Sequence, residues 1–232
     1  MITLGRLVAG VAHEIGNPLT GILTYAYLLR DSLDENDPRR EDVEMIIQET
    51  LRCREIIHRL LDFAREVKLK RERFDLNQLI RRSVRLIEKQ KDFSHIKFIY
   101  ELEENLPEIE ADPHQIEQVI LNLVLNACEA MPDGGRLWIR TRAKEDFVEI
   151  EVEDEGVGIP PDKLEVIFEP FYTTKKEKGG TGLGLSICYG IIKSHSGDIK
   201  VESTFGKGSK FTVVLPISSS EDEKNLSRFC SI

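Results

Sequence analysis

The sequence predicts an all-α helical hairpin, half of a dimeric four-helix bundle, followed by an α+β sandwich whose sheet is covered on one face by helices. Two observations predict this order. Apolar residues recur at alternating steps of three and four from Leu4 to Leu29, and again from Arg39 to about Lys70, which indicates two long helices that pack along other helices. Beyond Lys70 the helical and alternating patterns are mixed, which indicates a second domain.

The predicted boundaries follow the composition. The stretch from Arg65 to Arg73 is dense in charge and poor in apolar residues, so it indicates the solvated end of the second helix and a linker. We therefore predict the hairpin in residues 1–68, the linker in 69–75, the second domain in 76–217 and a polar, disordered tail in 218–232.

The composition indicates a globular protein in a reducing compartment. The chain has 232 residues, of which 41% are hydrophobic and 31% charged, and its four scattered cysteines form no C-x-x-C motif. A net charge of −9 argues against a nucleic-acid surface. No apolar run is long enough for a membrane segment, and no signal peptide is evident. Because the helical repeat is already under way at Leu4, we expect a cytoplasmic fragment of a longer protein, with any membrane anchor in the missing N-terminal part.

The hairpin is predicted to form a homodimer. The polar turn cluster Asp34–Pro38 separates two amphipathic helices, so the helices run antiparallel. Their apolar stripes are too wide for each helix to cover the other completely. Pairing with a second hairpin completes a four-helix bundle, whereas the alternative is that the hairpin packs on its own second domain.

His13 lies off the apolar repeat and is predicted to face outward. Glu14 is its neighbour, and Asn17 follows one turn later on the same face. Pro18 lacks an N–H and crowds the carbonyl group of Glu14, which predicts a kink just after the histidine. A solvated, inert histidine is the first alternative. A zinc site of the His-Glu-x-x-His type is the second, and it fails because Asn17 stands at the fifth position.

The second domain is predicted to alternate between helices and mostly antiparallel strands. Asp112 and Pro113 form a typical helix start, and Asp133-Gly134-Gly135 forms a tight turn before a β-hairpin. The predicted helices are 76–90, 113–131 and 184–194, and the predicted strands are 97–101, 136–143, 148–153, 198–203 and 210–215.

Two short segments of this domain suggest contacts with a nucleotide base and a metal. Asn122 and Asn126 are spaced to share one helix face, where their amides either bind Mg²⁺ that carries phosphates or are satisfied inside the core. Asp154 ends a strand, so its carboxylate is placed to accept a hydrogen bond from an exocyclic amine. Gly156 and Gly158 let the backbone approach a flat ring.

Two further segments suggest a phosphate site. The glycine-rich run 179–185 leads into a helix, and free N–H groups at a helix N-terminus favour anions. It is neither a Walker A loop nor a Rossmann turn, since it lacks Gly-Lys-Ser/Thr and follows no strand. The preceding run 168–178 carries aromatic residues and a lysine cluster. It is either a mobile lid over a polyphosphate or an ordinary surface loop.

Taken in order, the segments around His13, Asn122, Asp154, Phe171 and Gly182 resemble the H, N, G1, F and G2 boxes of sensor histidine kinases. The resemblance runs from Leu4 to about Pro216, and it is closest to the nitrogen-regulation and sporulation type. It implies a dimerisation and phosphoacceptor hairpin (HisKA) followed by an ATP-binding domain of the GHKL or Bergerat type (HATPase_c). Type II topoisomerases, mismatch-repair ATPases and heat-shock chaperones share this second domain.

The resemblance also implies roles for individual residues. His13 takes the γ-phosphoryl group of ATP, Glu14 acts as its general base, and Asn17 orients a water for dephosphorylation of the partner. Asn126 ligates Mg²⁺ with Asn122 beside it, Asp154 binds adenine, and Lys175 neutralises phosphate from the lid. The remaining residues implied to bind nucleotide are Gly156, Gly158, Phe171, Gly180, Thr181, Gly182, Leu183, Gly184 and Thr212.

The function implied is an ATP-dependent protein-histidine kinase that passes its phosphoryl group to an aspartate of a response-regulator receiver domain, and that also dephosphorylates that regulator. Asn122 stands where the related ATPases carry a glutamate that activates water, which favours a kinase over a hydrolase. The alternatives are a nucleotide-gated ATPase and a catalytically silent dimeric scaffold that binds nucleotide.

Overall fold

In the computed structural model, the chain consists of two compact units, Met1–Lys68 and Leu69–Ile232. The structure describes residues 2–35, 37–64, 69–174 and 181–218. Within these residues no helix combines the length and the apolar character that a membrane crossing requires.

The first unit is a helical hairpin of α1 (Ile2–Ser32) and α2 (Arg39–Ala64). Leu23 and Ala26 of α1 are buried against Val43 and Ile47 of α2. Helix α1 continues through Pro18, so the kink after His13 stays a prediction. The predicted end of α2 was too late, because residues 69 and 70 are not helical.

Within its described residues, the second unit contains three α-helices and two sheets. The helices are α3 (Leu76–Glu88), α4 (Pro113–Glu129) and α5 (Gly184–Ser194), and the strands are β1 (Glu72–Phe74), β2 (Ile96–Leu102), β3 (Ile109–Ala111), β4 (Gly135–Lys144), β5 (Phe147–Asp154), β6 (Asp198–Thr204) and β7 (Gly208–Pro216). The main sheet has the order β2-β4-β5-β7-β6, and β1 pairs separately with β3. The polar tail predicted for residues 218–232 lies outside the described residues from position 219 onward.

Two features of this unit differ from the prediction. Residues 72–74 were assigned to the linker, but they form strand β1, which pairs antiparallel with β3. The strands were expected to be antiparallel, but β2 runs parallel to β4. Strands of three residues carry almost no alternation, and a parallel pair joins segments distant in the chain, so neither feature has a local signature.

The core lies between one face of the main sheet and the helices. Along β5, Val148, Ile150 and Val152 are buried, whereas the residues between them are partly exposed. Helix α4 begins as predicted, with Pro113 in its first turn and the Asp112 carboxylate accepting hydrogen bonds from the next free backbone N–H groups. The buried face of β5 therefore points towards the helices, and Asp154 lies on that same face.

Candidate functional site

Asp154 is a buried carboxylate at the end of a core strand. It is 5% exposed, and one of its oxygens accepts a hydrogen bond of 2.8 Å from the backbone N–H of Gly156. This bond turns the chain sharply as it leaves β5. The side chain is thereby fixed on the helix-covered side of the sheet, where its carboxylate can accept a hydrogen bond from a purine amine.

Gly156 and Gly158 lie where no side chain fits. A Cβ atom at Gly156 would lie 2.6 Å from the carbonyl oxygen of Ala130 and 2.7 Å from the Asp154 carboxylate. Gly158 has a φ of +67°, and a Cβ there would overlap the carbonyl oxygen of Thr204. The loop therefore packs closely against its neighbours, and glycine is required at both positions.

The two amides on α4 differ in their surroundings. Asn122 is half-buried, and its side-chain oxygen would lie 3.8 Å from a Cβ atom at Gly184, at the start of α5. The thiol of Cys188 in α5 donates to the carbonyl oxygen of Val119 in α4 over 3.9 Å. Burial raises the pKa of the Cys188 thiol to about 12, so this thiol stays neutral. Asn126 lies one turn further along α4 and is also half-buried. Asn122 therefore lies near the first turn of α5, and Asn126 stays the predicted metal ligand.

Phe171 of the predicted lid contacts Gly182 of the glycine-rich run through the backbone. The N–H of Phe171 donates to the carbonyl oxygen of Gly182 over 3.0 Å, and both residues have a positive φ. A Cβ atom at Gly182 would overlap the carbonyl carbon of Phe171, so only glycine fits there. Phe168 packs on Tyr189 of α5, with ring centroids 5.7 Å apart. Lys175 and Gly180 lie outside the described residues.

The start of α5 is suited to an anion. Leu183, at the N-cap position, makes no side-chain capping bond, while Thr181 accepts a hydrogen bond of 3.4 Å from its N–H. The first backbone N–H groups of the helix, from Gly184 onward, point out of its N-terminus, where the helix dipole also favours negative charge. These N–H groups are suited to phosphates, as the Asp154 carboxylate is suited to an adenine amine.

The phosphoacceptor residues are placed by helix α1. His13 and Glu14 lie within α1, and their side chains are outside the described set. Asn17 is exposed and follows His13 by four residues, so both belong to the same helix face. The structure therefore keeps the predicted spacing of His13 and Asn17.

The assignment of Thr212 to the adenine site stays a prediction, and Ser209, which was not among the predicted residues, lies on the face of Asp154. In β7 the buried positions alternate with partly exposed ones, and Thr212 is on the outer face of the sheet. Ser209 is buried, pairs in register with Asp154 and therefore shares its face. The turn Gly206-Lys207-Gly208 directly precedes Ser209 in the sequence. Because this turn fixes where β7 begins, it also indicates which residues of the strand face the core, and it could have identified Ser209.

Comparison with known families agrees with this geometry. Residues 3–67 match the family described as His Kinase A (phospho-acceptor) domain. Residues 111–219 match the family described as Histidine kinase-, DNA gyrase B-, and HSP90-like ATPase. The first match covers the hairpin, and the second covers α4, the Asp154 loop and α5.

Individual relatives cover nearly all of this chain. Sporulation kinase E of Bacillus subtilis is 38% identical over 95% of this chain and 30% of its own length. The sensor histidine kinase ZraS of Escherichia coli K12 is 37% identical over 94% of this chain and 46% of its own. The chain therefore spans between 30% and 46% of the length of these relatives.

Solved structures show the same fold. Full-length ShkA in complex with AMPPNP matches 91% of this chain and 45% of its own, with a TM-score of 0.78 and 26% identity. The histidine kinase ThkA in complex with the response regulator TrrA matches 94% of this chain and 63% of its own, with a TM-score of 0.69 and 33% identity. The nucleotide-free catalytic domain of ThkA is 38% identical over 97% of its length, with a TM-score of 0.59. The chain belongs to the sensor histidine kinases.

Proposed function

We propose that this chain is an ATP-dependent protein-histidine kinase that phosphorylates its own His13. The observation that carries the proposal is the buried Asp154 carboxylate, held by Gly156 at a strand end beside a loop in which no side chain fits at Gly156 or Gly158. This arrangement suits a flat ring with an amine. His13, the proposed phosphoacceptor, lies in helix α1 of the first unit.

Each residue of the proposed site has a separate role in the reaction. Asp154 accepts from the adenine amine, and the N-terminus of α5 holds the phosphates. Asn126 is the proposed ligand of Mg²⁺, which supplies positive charge against the phosphates when it is bound. A ring nitrogen of His13 forms the new bond to phosphorus as the bond to the ADP oxygen breaks, and Glu14 holds the opposite ring nitrogen and its proton. Lys175 approaches the phosphates from the lid.

Hydrolysis of ATP by water is disfavoured at this site. Asn122 cannot act as a general base, because an amide has no basic atom. The nucleotide therefore waits for a histidine, which supports a kinase over a nucleotide-gated ATPase.

The proposed partner is a receiver domain of a response regulator, within the cytoplasm. ThkA was crystallised with the response regulator TrrA, and ThkA covers the hairpin as well as the second unit of this chain. The phosphoryl group would pass from His13 to an aspartate of that domain. The exposed side chain of Asn17, on the face of His13, is placed to orient water for the reverse dephosphorylation. The assignment to the nitrogen-regulation and sporulation type stays a prediction.

We further propose that the hairpin forms a homodimer. Ile22, Tyr25 and Leu29 of α1 line an apolar groove with Ile46 of α2, and all four are exposed in the single chain. Residues at this spacing form the contact surface of helical bundles. A second copy of the hairpin, with the same stripe, is the partner that covers it.

The mass of the chain in solution tests the homodimer. Light scattering is expected to give about twice the 26.5 kDa of one chain. The change Ile22→Glu is expected to shift the mass towards one chain, because it places a charge in the groove. Leu28→Glu is the control, since Leu28 is 61% exposed and lies outside the groove. A monomeric wild-type chain would contradict the proposal.

Incubation with γ-labelled ATP and Mg²⁺ tests the kinase. The wild-type chain is expected to gain a label that is labile in acid and stable in base. His13→Gln and Asn126→Ala are expected to lose it, because the first lacks the nucleophile and the second the metal ligand. His114→Gln, at an exposed histidine of the second unit, controls for the chemical change and is expected to keep the label.

Each other outcome has a distinct meaning. Label retained in His13→Gln would place the acceptor elsewhere and contradict the assignment of His13. Tight ATP binding without any label in the wild-type chain would favour the silent scaffold. Release of inorganic phosphate without protein label would favour the ATPase.

A further inference from the structure

The loop that follows Asp154 is held from its far side by the β6–β7 hairpin. The carbonyl oxygen of Val157 accepts a hydrogen bond of 2.8 Å from the N–H of Gly206. The N–H of Ile159 donates to the hydroxyl oxygen of Ser203 over 2.8 Å. Between these two bonds lies Gly158, the residue whose close approach to the hairpin excludes a side chain. The loop therefore takes its shape from a hairpin on the edge of the sheet.

Ser203 connects the two ends of this arrangement. Its hydroxyl accepts from Ile159 and donates to the carbonyl oxygen of Gly208 over 2.8 Å, and the hydroxyl of Ser209 lies 3.0 Å away. Gly208 packs directly on the backbone of Asp154, because a Cβ atom there would overlap the Asp154 carbonyl oxygen. One hydroxyl thus ties the far end of the loop to the strand that supports its beginning.

Asp154, Ser209 and Ser203 form one row across three neighbouring strands of the sheet. Asp154 of β5 pairs in register with Ser209 of β7, and Ser209 pairs in register with Ser203 of β6. All three therefore share the inner face at one end of the sheet. Ser203 belongs to the edge strand β6, two strands away from the Asp154 carboxylate in β5. It is linked to the proposed nucleotide site through the backbone of the loop that follows Asp154.

We propose that Ser203 is a positioning residue for nucleotide binding, which holds Ile159 and thereby keeps the Asp154–Pro160 loop in the shape that receives adenine. A loop with two glycines has many conformations when it is untied, and binding must then restrict them. The hydrogen bond between the Ile159 N–H and the Ser203 hydroxyl restricts the conformations of the loop before the nucleotide binds. This inference rests on the proposed function, since it assigns a role towards the nucleotide of the same site.

The experiment compares serine variants in the full chain. Ser203→Ala removes the acceptor for the Ile159 N–H, and we expect it to raise the Kd for Mg²⁺-ATP by about tenfold. The maximal rate of His13 labelling at saturating ATP is expected to stay unchanged, because Ser203 does not touch the reacting atoms. Ser203→Thr keeps the hydroxyl and is expected to bind within about twofold of the wild type. Ser94→Ala, at an exposed serine that caps a distant turn, is the matched control.

Amide hydrogen exchange gives a second measurement that does not depend on activity. In the Ser203→Ala chain the Ile159 amide is expected to lose its protection, whereas the amides of strand β5 keep theirs. Wild-type affinity in Ser203→Ala, a reduced maximal rate at unchanged affinity, or an Ile159 amide that stays protected would each overturn the inference. Absence of ATP binding by the wild-type chain would instead overturn the proposed function, so the two failures are distinguishable.

Discussion

Changing Asp154 to Asn is expected to weaken ATP binding by about a hundredfold or more while the protein stays folded. The substitution has the same shape, and the retained oxygen can still accept from the Gly156 N–H. The second oxygen becomes an NH₂ group, however, which donates where adenine also presents a donor. Two donors that face each other in a pocket where the residue is 5% exposed leave both unsatisfied, which is the source of the large loss.

Calorimetric titration with Mg²⁺-ATP measures this effect, and circular dichroism verifies that the chain is folded. Thr212→Ala is the informative control, because it removes a hydroxyl from the outer face of the sheet and is expected to leave the Kd unchanged. Tight binding by Asp154→Asn would show that adenine is recognised elsewhere. Weak binding of Mg²⁺-ATP by Thr212→Ala would show that Thr212 contributes to the nucleotide site.

Local signals in the sequence predicted much of the fold. Helix α5 spans Gly184–Ser194, as predicted, because a glycine-rich run precedes it and its apolar periodicity is clear. The start of α4 was equally clear from Asp112 and Pro113, since capping depends on neighbouring residues. The assignments of Asp154 and Gly158 also depend on local signals, because the residue types of a turn that follows a strand can be recognised without knowledge of tertiary contacts.

The remaining features depend on contacts that are distant in the chain. Strand β1 forms because it pairs with β3, and neither has a pattern of its own. The choice between Thr212 and Ser209 depends on which face of β7 is buried, and a shift by one residue reverses that choice. The Cys188 thiol contacts the backbone of Val119 in a helix that is far away in the chain, so no local motif predicts this contact. Ser203 was missed for the same reason.

The second large expected effect concerns stability and comes from a buried polar cluster at the entry to the second unit. Asp112 is 4% exposed, and its carboxylate caps α4 while also accepting from the backbone N–H of Lys70 over 3.1 Å. Its own N–H donates to Nε2 of His195 over 3.0 Å, at the end of α5. Asp112→Ala is therefore expected to lower the free energy of unfolding by about 3 kcal/mol, because it removes a cap and leaves buried N–H groups without acceptors. Urea denaturation measures the change.

The same cluster predicts how stability depends on pH. Burial lowers the pKa of His195, and the nearby charge of Arg71 lowers it further, against opposing effects of the Ile191 carbonyl group and the Asp112 carboxylate. The neutral ring is required, because Nε2 accepts from Asp112 while Nδ1 donates to Ile191 over 2.9 Å.

Since the unfolded chain binds the proton more readily, stability is fully present above about pH 6.5 and falls as the pH drops towards the folded pKa of His195. The slope contributed by this residue reaches at most about 1.4 kcal/mol per pH unit. In His195→Gln the amide oxygen can replace Nε2 as the acceptor without titrating, so this part of the slope is expected to disappear. His114→Gln, at an exposed histidine, is expected to keep it. An unchanged slope in His195→Gln would mean that other groups govern acid unfolding, and that protonation of His195 does not open the cluster between α4 and α5.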